Sequence, residues 1–284
     1  MNNPDPNELL EFIDSVLIED IQDGDHTTLS TIDADATGQA HLLVKEPGIL
    51  AGVDLAKTIL HHVNPDLEIN IAIPDSSRVE PGDIAFTVFG RVQALLVAER
   101  TMLNFMQRMS GIATHTNEFV QRVRHTKAKI LDTRKTSPGL RYFEKLAVRL
   151  GGGHNHRFGL YDMIMIKDNH VDFSGGIAAA IEKVHKYLDS NELELRIEIE
   201  TRNLDEVQQV LDAGGVDRIM LDNFEPEMMK DAVQMINHRF ETEASGGVNL
   251  ETVKTIAETG VDYISVGELT HSVKSLDLSF KAVN

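Results

Sequence analysis

The first third of the chain combines helix-like and strand-like patterns of apolar residues. Between residues 7 and 22 the apolar residues fall on one face of a helix, namely Leu9, Leu10, Ile13, Val16, Leu17 and Ile21. Strand-like segments follow at 37–45, 67–73 and 84–90, with turn sequences such as Pro81-Gly82-Asp83 between them. A second helical pattern runs from about 92 to 109. This part of the sequence therefore predicts a mixed α+β domain.

From residue 128 the pattern becomes a regular alternation of strands and helices. Six apolar runs end in polar residues and precede a helical stretch, and they lie at 130–135, 163–169, 197–200, 219–223, 241–245 and 263–267. Consecutive βα units predict a parallel sheet, and their regular spacing favours a barrel over an open sheet. Because a complete barrel needs more units than this, we expect an incomplete α/β barrel.

The alternation within these strands places ionisable side chains inside the barrel. Ile197 and Ile199 are expected to face the helices, so that Glu198 and Glu200 face the interior. The same parity turns four more side chains inward, Lys167, Asp222, Glu243 and Ser265, with Arg134 at the end of its strand. Charges are rarely buried unless they are paired or functional. The pattern predicts an active site at the carboxyl ends of the strands; a structural ion-pair layer that closes the barrel is the alternative.

Composition and charge exclude several classes of protein. The 284 residues include no cysteine, which excludes a disulfide framework, a thiol nucleophile and a thiolate metal site. The net charge of −18 argues against binding to nucleic acid or to anionic membranes, both of which require a positive surface. No apolar run approaches membrane-spanning length, and Met1–Asp5 lacks the pattern of a signal peptide. A soluble cytoplasmic protein is therefore expected.

The charge is distributed unevenly along the chain. Between Arg122 and Arg157 there are ten basic residues and two acidic ones, so this segment is basic within an acidic protein. Such a segment suits a small, highly anionic substrate, although a solvated helix face is the alternative for its first part. The loop Gly151 to Arg157 either ends a helix or forms a flexible, cationic segment. With Arg134, Lys135 and Lys167 it would form a pocket for several carboxylates and phosphates.

Glycines after the last two strands of the predicted barrel indicate a phosphate site. Ser245-Gly246-Gly247 follows the fifth strand and Gly267 follows the sixth. Glycines let backbone N–H groups approach an anion, and a helix expected to begin near Asn249 would add its positive end. Two ordinary glycine turns are the alternative. The sequence contains no Walker motif, no dinucleotide-binding glycine pattern and no His-Glu-x-x-His.

Seven motifs resemble those of the quinolinate phosphoribosyltransferase family, also called nicotinate-nucleotide pyrophosphorylase (carboxylating). They are Glu99-Arg100-Thr101 with Asn104-Phe105, Ser110 to Thr114, Asp132 to Thr136, Gly151 to Arg157, Ile166 to His170, Leu221 to Phe224 and Glu243 to Gly247. The resemblance covers nearly the whole chain. It implies that phosphoribosyl pyrophosphate and quinolinate react, with Mg²⁺ and loss of CO2, to give nicotinate mononucleotide and pyrophosphate for NAD biosynthesis.

The resemblance also implies an architecture and an assembly. An N-terminal α+β sandwich domain would cover 1–110 and the α/β barrel would cover 111–269, with a tail of about 270–284 that can pack on the first domain. The expected assembly is a homodimer in which the two subunits share their active sites.

Site residues follow from the same resemblance, motif by motif. Arg134, His156, Arg157 and Lys167 are expected to bind the quinolinate carboxylates, joined by Arg100 of the partner subunit. Phosphoribosyl pyrophosphate and its metal are expected to bind at Lys135, Glu200 and Asp222, which are the expected catalytic residues, with Glu200 and Asp222 as the metal ligands. Thr133 is expected to be a further substrate-binding residue. The 5′-phosphate is expected to contact Ser245, Gly246, Gly247, Gly267 and His271.

Two other functions are weighed against this one. An enzyme of the same fold could act on a base with one carboxylate, but the number of cations near the predicted site favours two carboxylates. A non-catalytic phosphate-binding barrel is disfavoured by Glu200 and Asp222, since binding alone would not place carboxylates beside an anion. Those carboxylates instead suit the positive charge that develops on a ribose as pyrophosphate leaves.

Overall fold

The computed structural model describes residues 5–283. The helices are α1 (Pro6–Ile21), α2 (His26–Thr31), α3 (Val53–Val63), α4 (Val92–Val123), α5 (Arg141–Leu150), α6 (Asp168–Ser174), α7 (Ile177–Ser190), α8 (Leu204–Ala213), α9 (Pro226–Ile236), α10 (Val253–Ala257) and α11 (Glu268–His271). The strands are β1 (Thr37–Val44), β2 (Gly48–Ile49), β3 (Glu68–Ile71), β4 (Arg78–Val79), β5 (Ile84–Arg91), β6 (Lys129–Leu131), β7 (Ile164–Ile166), β8 (Ile197–Thr201), β9 (Arg218–Asp222), β10 (Glu241–Ser245), β11 (Tyr263–Ser265) and β12 (Leu278–Val283). The segment that lacks a signal-peptide pattern, Met1–Asp5, lies mostly outside the described residues.

The chain divides into two compact units. The first comprises residues 1–117, 138–152 and 272–284, and the second comprises residues 118–137 and 153–271. The sequence analysis places the change of domain at residue 110 and assigns 138–152 to the barrel. The structure instead assigns 138–152 to the first unit.

The first unit contains an antiparallel sheet with the strand order β12-β1-β5-β3. Along β1 alternate residues are buried, and Leu42 lies opposite Phe86 of β5 and Phe280 of β12. This two-residue period is what a sheet with one buried face requires. The three strands predicted in this region are confirmed as β1, β3 and β5, and the predicted first helix is confirmed as α1.

The helix α5 belongs to the first unit because of its aromatic packing. Phe143 lies with its ring centroid 5.2 Å from that of Phe12 and 4.9 Å from that of Phe105. The buried carboxylate of Glu144 accepts hydrogen bonds from the guanidinium of Arg108, at 3.0 Å from Nε and 2.5 Å from Nη2. These contacts join residues far apart in sequence, so no local pattern predicts them.

The helix α4 is longer than its sequence pattern predicts. The predicted helix ends near residue 109, whereas α4 continues to Val123. Buried side chains continue at helical spacing through Ile112, Thr116 and Phe119. A glycine is required at Gly111, since a Cβ there would lie 2.1 Å from the carbonyl oxygen of Lys274. Gly111 therefore permits close packing within the first unit and does not end the helix.

The second unit contains six parallel strands in the order β6-β11-β10-β9-β8-β7. Each of the six predicted βα strands is present. The two strands that come first in sequence, β6 and β7, lie at opposite edges, and no pairing joins them within residues 5–283. The predicted fold class, an incomplete α/β barrel with a separate α+β domain, is confirmed.

Two local features of the second unit differ from a simple βα repeat. The helix expected near Asn249 begins at Val253, because Asn249 Oδ1 accepts the N–H groups of Glu251 and Thr252 at 3.0 and 2.9 Å and forms a turn first. At the other end of the strands, Asp262 accepts hydrogen bonds from Lys127 Nζ at 2.7 Å and from the Thr242 N–H at 2.9 Å. Those bonds link the segments that precede β6 and β11 to the start of β10.

The helices of residues 5–283 include none that combines the length and the apolar character needed to cross a bilayer.

Candidate active site

Two adjoining cavities, each of about 450 Å³, lie at the carboxyl ends of the six parallel strands. We call the first the basic lobe; it is lined by Arg134, His156, Arg157, Met165, Lys167, Glu200, Met220 and Glu243. We call the second the glycine lobe; it is lined by Asn223, Gly246, Gly247, Val248, Gly267, Glu268 and His271. The residues that line both lobes are Thr133, Lys135, Asp222, Ser245 and Ser265.

The predicted site residues come together in these two lobes. Every one of them except Arg100 lines the basic lobe, the glycine lobe or both. Arg100 lies in the first unit, where its side chain is exposed on α4. The predicted inward orientation is also confirmed: Lys167 follows β7, Glu200 lies in β8 and Asp222 ends β9, and all three line the basic lobe.

The cations of the basic lobe lie close enough to repel one another. Burial, and then the neighbouring charge of Arg134, lowers the pKa of Arg157. One nitrogen of Arg157, Nη1, donates to the carbonyl oxygen of Met163 at 3.1 Å. The Nε atom of Arg134 is buried and has no hydrogen-bond acceptor within residues 5–283. An anionic ligand in this lobe would relieve the repulsion and supply that acceptor.

The segment that positions His156 and Arg157 is anchored by a buried aspartate. Asp132 follows β6, and its Oδ1 accepts the N–H of His156 at 2.9 Å. The other carboxylate oxygen accepts from Asn155 Nδ2 at 2.5 Å. A single bridge also pairs His154 with Leu131 of β6. The loop after α5 thereby runs beside β6, and His156 and Arg157 reach the strand ends.

The acidic residues of the basic lobe lie on neighbouring strands. Glu200 is in β8 and Asp222 ends β9. Lys167 precedes α6, and its Nζ donates to Glu200 Oε2 at 3.1 Å. Asp222 Oδ2 accepts from Asn223 Nδ2 at 2.7 Å. The site therefore combines cations for an anionic substrate with carboxylates that can stabilise a developing positive charge.

The backbone of the glycine lobe requires glycine at position 246. Gly246 has a φ of +94°, which side chains rarely adopt. A Cβ on Gly246 would lie 2.1 Å from Asn223 Oδ1 and 3.0 Å from the Asn223 backbone nitrogen. Because Gly246 has no side chain, the main chain of this loop can approach Asn223 closely. Its N–H groups also stay accessible to a ligand, as a phosphate-binding backbone requires.

Comparison with known families accounts for both units. The description "Quinolinate phosphoribosyl transferase, N-terminal domain" matches residues 25–110, and "Quinolinate phosphoribosyl transferase, C-terminal domain" matches residues 112–281. The chain belongs to the quinolinate phosphoribosyltransferase family. The family match thus covers the two lobes and the helix that contains Arg100.

Individual relatives in this family match over almost the full chain. "Quinolinate phosphoribosyltransferase [decarboxylating] 2b, mitochondrial" of Nicotiana tabacum is 47% identical over 289 residues, covering 96% of this chain and 82% of that protein. "Nicotinate-nucleotide pyrophosphorylase [carboxylating], chloroplastic" of Arabidopsis thaliana is 50% identical over 272 residues, covering 91% and 78%. Among solved structures, NadC from Streptococcus pyogenes has a TM-score of 0.94 with 35% identity and covers 100% of both chains.

A buried ion-pair layer lies beneath the basic lobe of this family member. Arg218 Nη1 donates to Glu243 Oε2 at 2.7 Å, and His156 Nε2 lies 2.9 Å from Glu198 Oε2 and 3.4 Å from Glu243 Oε1. The structural layer weighed as the alternative to an active site is therefore present together with the candidate site. Glu198 and Arg218 are buried and line neither lobe, whereas Glu243 is buried but also borders the basic lobe, as Glu200 and Asp222 do.

The charge of His156 is set by competing interactions. Burial disfavours its charged form, but the neighbouring carboxylates of Glu198 and Glu243 outweigh burial and raise the pKa of His156. The backbone N–H of Arg157 argues against a doubly protonated ring, because it donates to His156 Nδ1 at 2.7 Å. Two N–H groups cannot point at each other at that distance, so we assign the ring proton to Nε2.

The two acids of this layer differ in their titration. Burial opposes charge on Glu243, but its contacts with His156 and Arg218 lower its pKa. Burial and the charge of Glu243 raise the pKa of Glu198. Glu243 is therefore the carboxylate that stays ionised beside Arg218. The charge of Glu198 depends instead on its contact with the protonated nitrogen of His156.

Sequence reasoning missed four residues of the site. Asp132 stands in one of the family-like motifs, but no sequence pattern indicates that its carboxylate anchors the loop of His156. Arg218 lies four residues before Asp222, so the same two-residue period that turns Asp222 inward could have identified it. Met165 and Met220 line the basic lobe as apolar surface; they precede Lys167 and Asp222 by two residues and follow the same parity.

Proposed function

We propose that the protein transfers the phosphoribosyl group of phosphoribosyl pyrophosphate to the ring nitrogen of quinolinate and releases pyrophosphate and CO2. The product is nicotinate mononucleotide, which serves NAD biosynthesis. One observation carries the proposal: a lobe with three cationic side chains, Arg134, Arg157 and Lys167, joins a glycine lobe through Lys135 and Asp222. The two lobes suit a dicarboxylate and a phosphorylated sugar, whose reacting atoms would then meet at the shared residues.

The basic lobe suits two carboxylates better than one. Arg134 and Arg157 can each bind a carboxylate through paired N–H groups, and Lys167 adds a point charge. Binding a dianion would relieve the repulsion that lowers the pKa of Arg157. A base with a single carboxylate would leave part of this charge unbalanced in a half-buried cavity. We therefore infer that quinolinate is preferred over nicotinate.

The glycine lobe is the proposed site of the 5′-phosphate. Gly246, Gly247 and Gly267 would offer backbone N–H groups, with Ser245 and His271 at the edge. Lys135 lines both lobes, so its ammonium group is placed to bind the pyrophosphate of the donor and to neutralise it as it leaves. Thr133 Oγ1 accepts the N–H of Lys135 at 3.0 Å, which fixes the backbone at this point.

Glu200 and Asp222 are the proposed groups that stabilise the transition state. As the bond from the ribose carbon to pyrophosphate breaks, positive charge develops on the sugar, and fixed carboxylates nearby lower its energy. Glu200 is held by Lys167 and Asp222 by Asn223, so both carboxylates are oriented before substrate binds. Holding the two substrates in contact supplies the remaining part of the rate increase.

Decarboxylation follows from the first step. The ring nitrogen becomes cationic once it is bonded to the ribose, and its charge stabilises the electron pair that stays on the adjacent ring carbon when the carboxylate leaves as CO2. A proton then takes the place of that carboxylate on the ring. The protein contributes orientation, since the cations of the basic lobe hold the ring in place beside the ribose.

The acidic residues also fit Mg²⁺. This ion binds through one or two protein carboxylates together with substrate phosphates, and Glu200 and Asp222 offer two carboxylates in the cavity that would receive pyrophosphate. When bound, Mg²⁺ would neutralise charge on the pyrophosphate as it departs.

We infer further that two copies form a homodimer with shared active sites. In the second unit Leu160, Tyr161 and Phe173 expose 70%, 71% and 90% of their surface. Large apolar side chains with this much exposure are typical of a surface that contacts another protein chain. Arg100 is exposed on α4 and outside the two lobes. Contact between copies would cover the apolar side chains, and Arg100 of the partner subunit would add a cation to the basic lobe. A cytoplasmic location stays a prediction.

A substrate comparison tests the proposed activity. The purified protein is mixed with Mg²⁺, phosphoribosyl pyrophosphate and either quinolinate or nicotinate, and the release of pyrophosphate is followed. We expect kcat/KM for quinolinate to exceed that for nicotinate by about 100-fold or more, the value of one buried charged contact. Comparable turnover of nicotinate would contradict the choice of substrate. Tight binding of both substrates without turnover would support the non-catalytic alternative.

A further inference from the structure

The buried layer beneath the basic lobe joins three neighbouring strands to the substrate-binding loop. Glu198 in β8 lies opposite Arg218 in β9, and Glu243 is in the adjacent strand β10. Glu198 and Glu243 are fully buried, and Arg218 and His156 expose 7% and 8%. Glu198 does not line either lobe, so it has no access to a ligand there. Any effect of Glu198 on substrate must therefore pass through another residue.

The partner through which Glu198 acts is His156. Arg218 already balances Glu243, at 2.7 Å, and its guanidinium also lies 4.0 Å from the ring centre of Tyr263. The nearest cationic or proton-donating contact of Glu198 among the described ion pairs is His156 Nε2, at 2.9 Å. Glu198 Oε2 and His156 Nε2 are in ion-pair contact without hydrogen-bond geometry. Since an unpaired buried carboxylate is strongly unfavourable, this contact favours a ring proton on the Nε2 side of His156.

The other ring nitrogen of His156, Nδ1, links the orientation of the ring to the backbone of Arg157. His156 Nδ1 accepts the backbone N–H of Arg157 at 2.7 Å, so a rotation of the ring would move or release this N–H. On the other side of the same loop, Asp132 holds the His156 N–H at 2.9 Å. Two hydrogen bonds thus hold the main chain at His156 and Arg157 in place. The Arg157 side chain extends from this held backbone, and it lines the basic lobe.

The same hydrogen bond distinguishes this arrangement from a metal site. His156, Glu198 and Glu243 bring three potential ligand atoms within 4.8 Å of one another. A metal ion at Nε2 would require an unprotonated Nε2 and therefore a proton on Nδ1. Nδ1 accepts a hydrogen bond from Arg157 and cannot carry that proton. The geometry therefore favours a proton between the histidine and the two carboxylates.

We propose that Glu198 and Glu243 are positioning residues, which hold the His156 ring so that its Nδ1 fixes the backbone of Arg157 for binding of the substrate carboxylates. The proposal rests on the proposed function, because the substrate it concerns is quinolinate. It assigns a role to Glu198, which lines neither lobe, and to Glu243, which is buried at the border of the basic lobe. Their effect should appear in the binding of quinolinate and leave the binding of phosphoribosyl pyrophosphate in the glycine lobe unchanged.

Substitution of Glu198 tests the proposal. Glu198→Leu removes the carboxylate at similar size, and we expect KM for quinolinate to rise about tenfold, as for loss of a buried charged contact. Glu198→Gln keeps an acceptor for the Nε2 proton and should stay within about threefold of the unsubstituted protein. The Kd of phosphoribosyl pyrophosphate, measured by calorimetry, should not change and shows that each variant is folded.

A matched control separates positioning from loss of stability. Glu206 is also a buried acid, and it is paired with Arg202 at 2.6 Å outside both lobes. Glu206→Leu should lower the melting temperature and leave KM for quinolinate unchanged. An equal rise in KM for Glu206→Leu and Glu198→Leu would show that both act through general destabilisation, and it would overturn the proposal.

A double-substitution cycle with His156→Ala gives the sharpest result. If Glu198 acts through His156, Glu198→Leu should change KM for quinolinate by less than about twofold once His156 is absent. A further tenfold rise in the double variant would overturn the proposal. Nitrogen-15 spectra of the ring should show a protonated Nε2 and an unprotonated Nδ1. Stoichiometric metal in the purified protein, with the reverse pattern, would also overturn it. Failure of the proposed function would appear earlier, as an absence of turnover in the unsubstituted protein.

Discussion

Replacing Gly246 by alanine is expected to weaken the binding of phosphoribosyl pyrophosphate without unfolding the protein. The new Cβ would lie 2.1 Å from Asn223 Oδ1, so the Asn223 side chain would have to move. That side chain donates to Asp222 Oδ2 at 2.7 Å, and Asp222 lines both lobes. The substitution therefore disturbs the glycine lobe and the orientation of a proposed catalytic carboxylate together.

Two contributions set the magnitude. An alanine at a φ of +94° adds backbone strain of about 1–2 kcal/mol, which lowers stability. Loss of the hydrogen bond between Asn223 and the charged Asp222 adds about 1.5–3 kcal/mol, and this contribution lies in the site. We expect it to appear as a rise of about 10- to 100-fold in the Kd of phosphoribosyl pyrophosphate.

Gly214→Ala is the matched control for this experiment. Gly214 follows α8 with a φ of +66°, and a Cβ there would meet no atom within 4 Å. It should therefore show the loss of thermal stability without the loss of binding. Calorimetric titration with phosphoribosyl pyrophosphate and thermal unfolding are measured on both variants. Wild-type affinity in Gly246→Ala, with a loss of stability equal to that of Gly214→Ala, would refute the proposed phosphate site.

Three other predictions concern the acids, the shared site and stability in acid. Glu200→Ala and Asp222→Ala should each lower kcat by roughly 100-fold or more and affect quinolinate binding less; near-normal kcat would contradict their role. Arg100→Ala and Lys167→Ala homodimers should be nearly inactive, whereas random mixing of the two chains should restore about a quarter of wild-type activity; no recovery in mixed dimers would exclude a shared site. Burial opposes ionisation of Asp262, but its lysine and threonine partners lower its pKa, so its stabilising effect should be present above about pH 4 and be lost as pH falls through the folded-state pKa. The difference in unfolding free energy between wild type and Asp262→Asn should therefore shrink in acid, and a difference that grows below pH 4 would reverse the sign of this argument.

The barrel and its interior could be predicted from sequence because they depend on a local period. In β8 the sequence Ile197-Glu198-Ile199-Glu200 alternates apolar and acidic residues, and a strand necessarily turns the two sets to opposite faces. Parallel strands then place their carboxyl ends at one edge, so residues such as Lys167 and Asp222 meet although they are far apart in the chain. Both steps need only the pattern and the rule for βα units.

The features that sequence analysis missed depend on tertiary contacts. The grouping of α5 with the first unit follows from packing of Phe143 on Phe12 and Phe105, which no local period records. Parity predicted that Glu198 faces inward, but it could not distinguish a cavity wall from a buried layer. That distinction depends on His156, which contacts Glu198 of β8 from the loop that precedes β7.

The proposed reaction makes one measurement decisive. Quinolinate labelled in the carboxylate next to the ring nitrogen is incubated with the protein, Mg²⁺ and phosphoribosyl pyrophosphate, and labelled CO2 and pyrophosphate are quantified together. The proposal predicts that labelled CO2 appears only when phosphoribosyl pyrophosphate is present, in one-to-one proportion to pyrophosphate and to nicotinate mononucleotide. Release of pyrophosphate with the label retained in the product, or release of labelled CO2 without phosphoribosyl pyrophosphate, would contradict it.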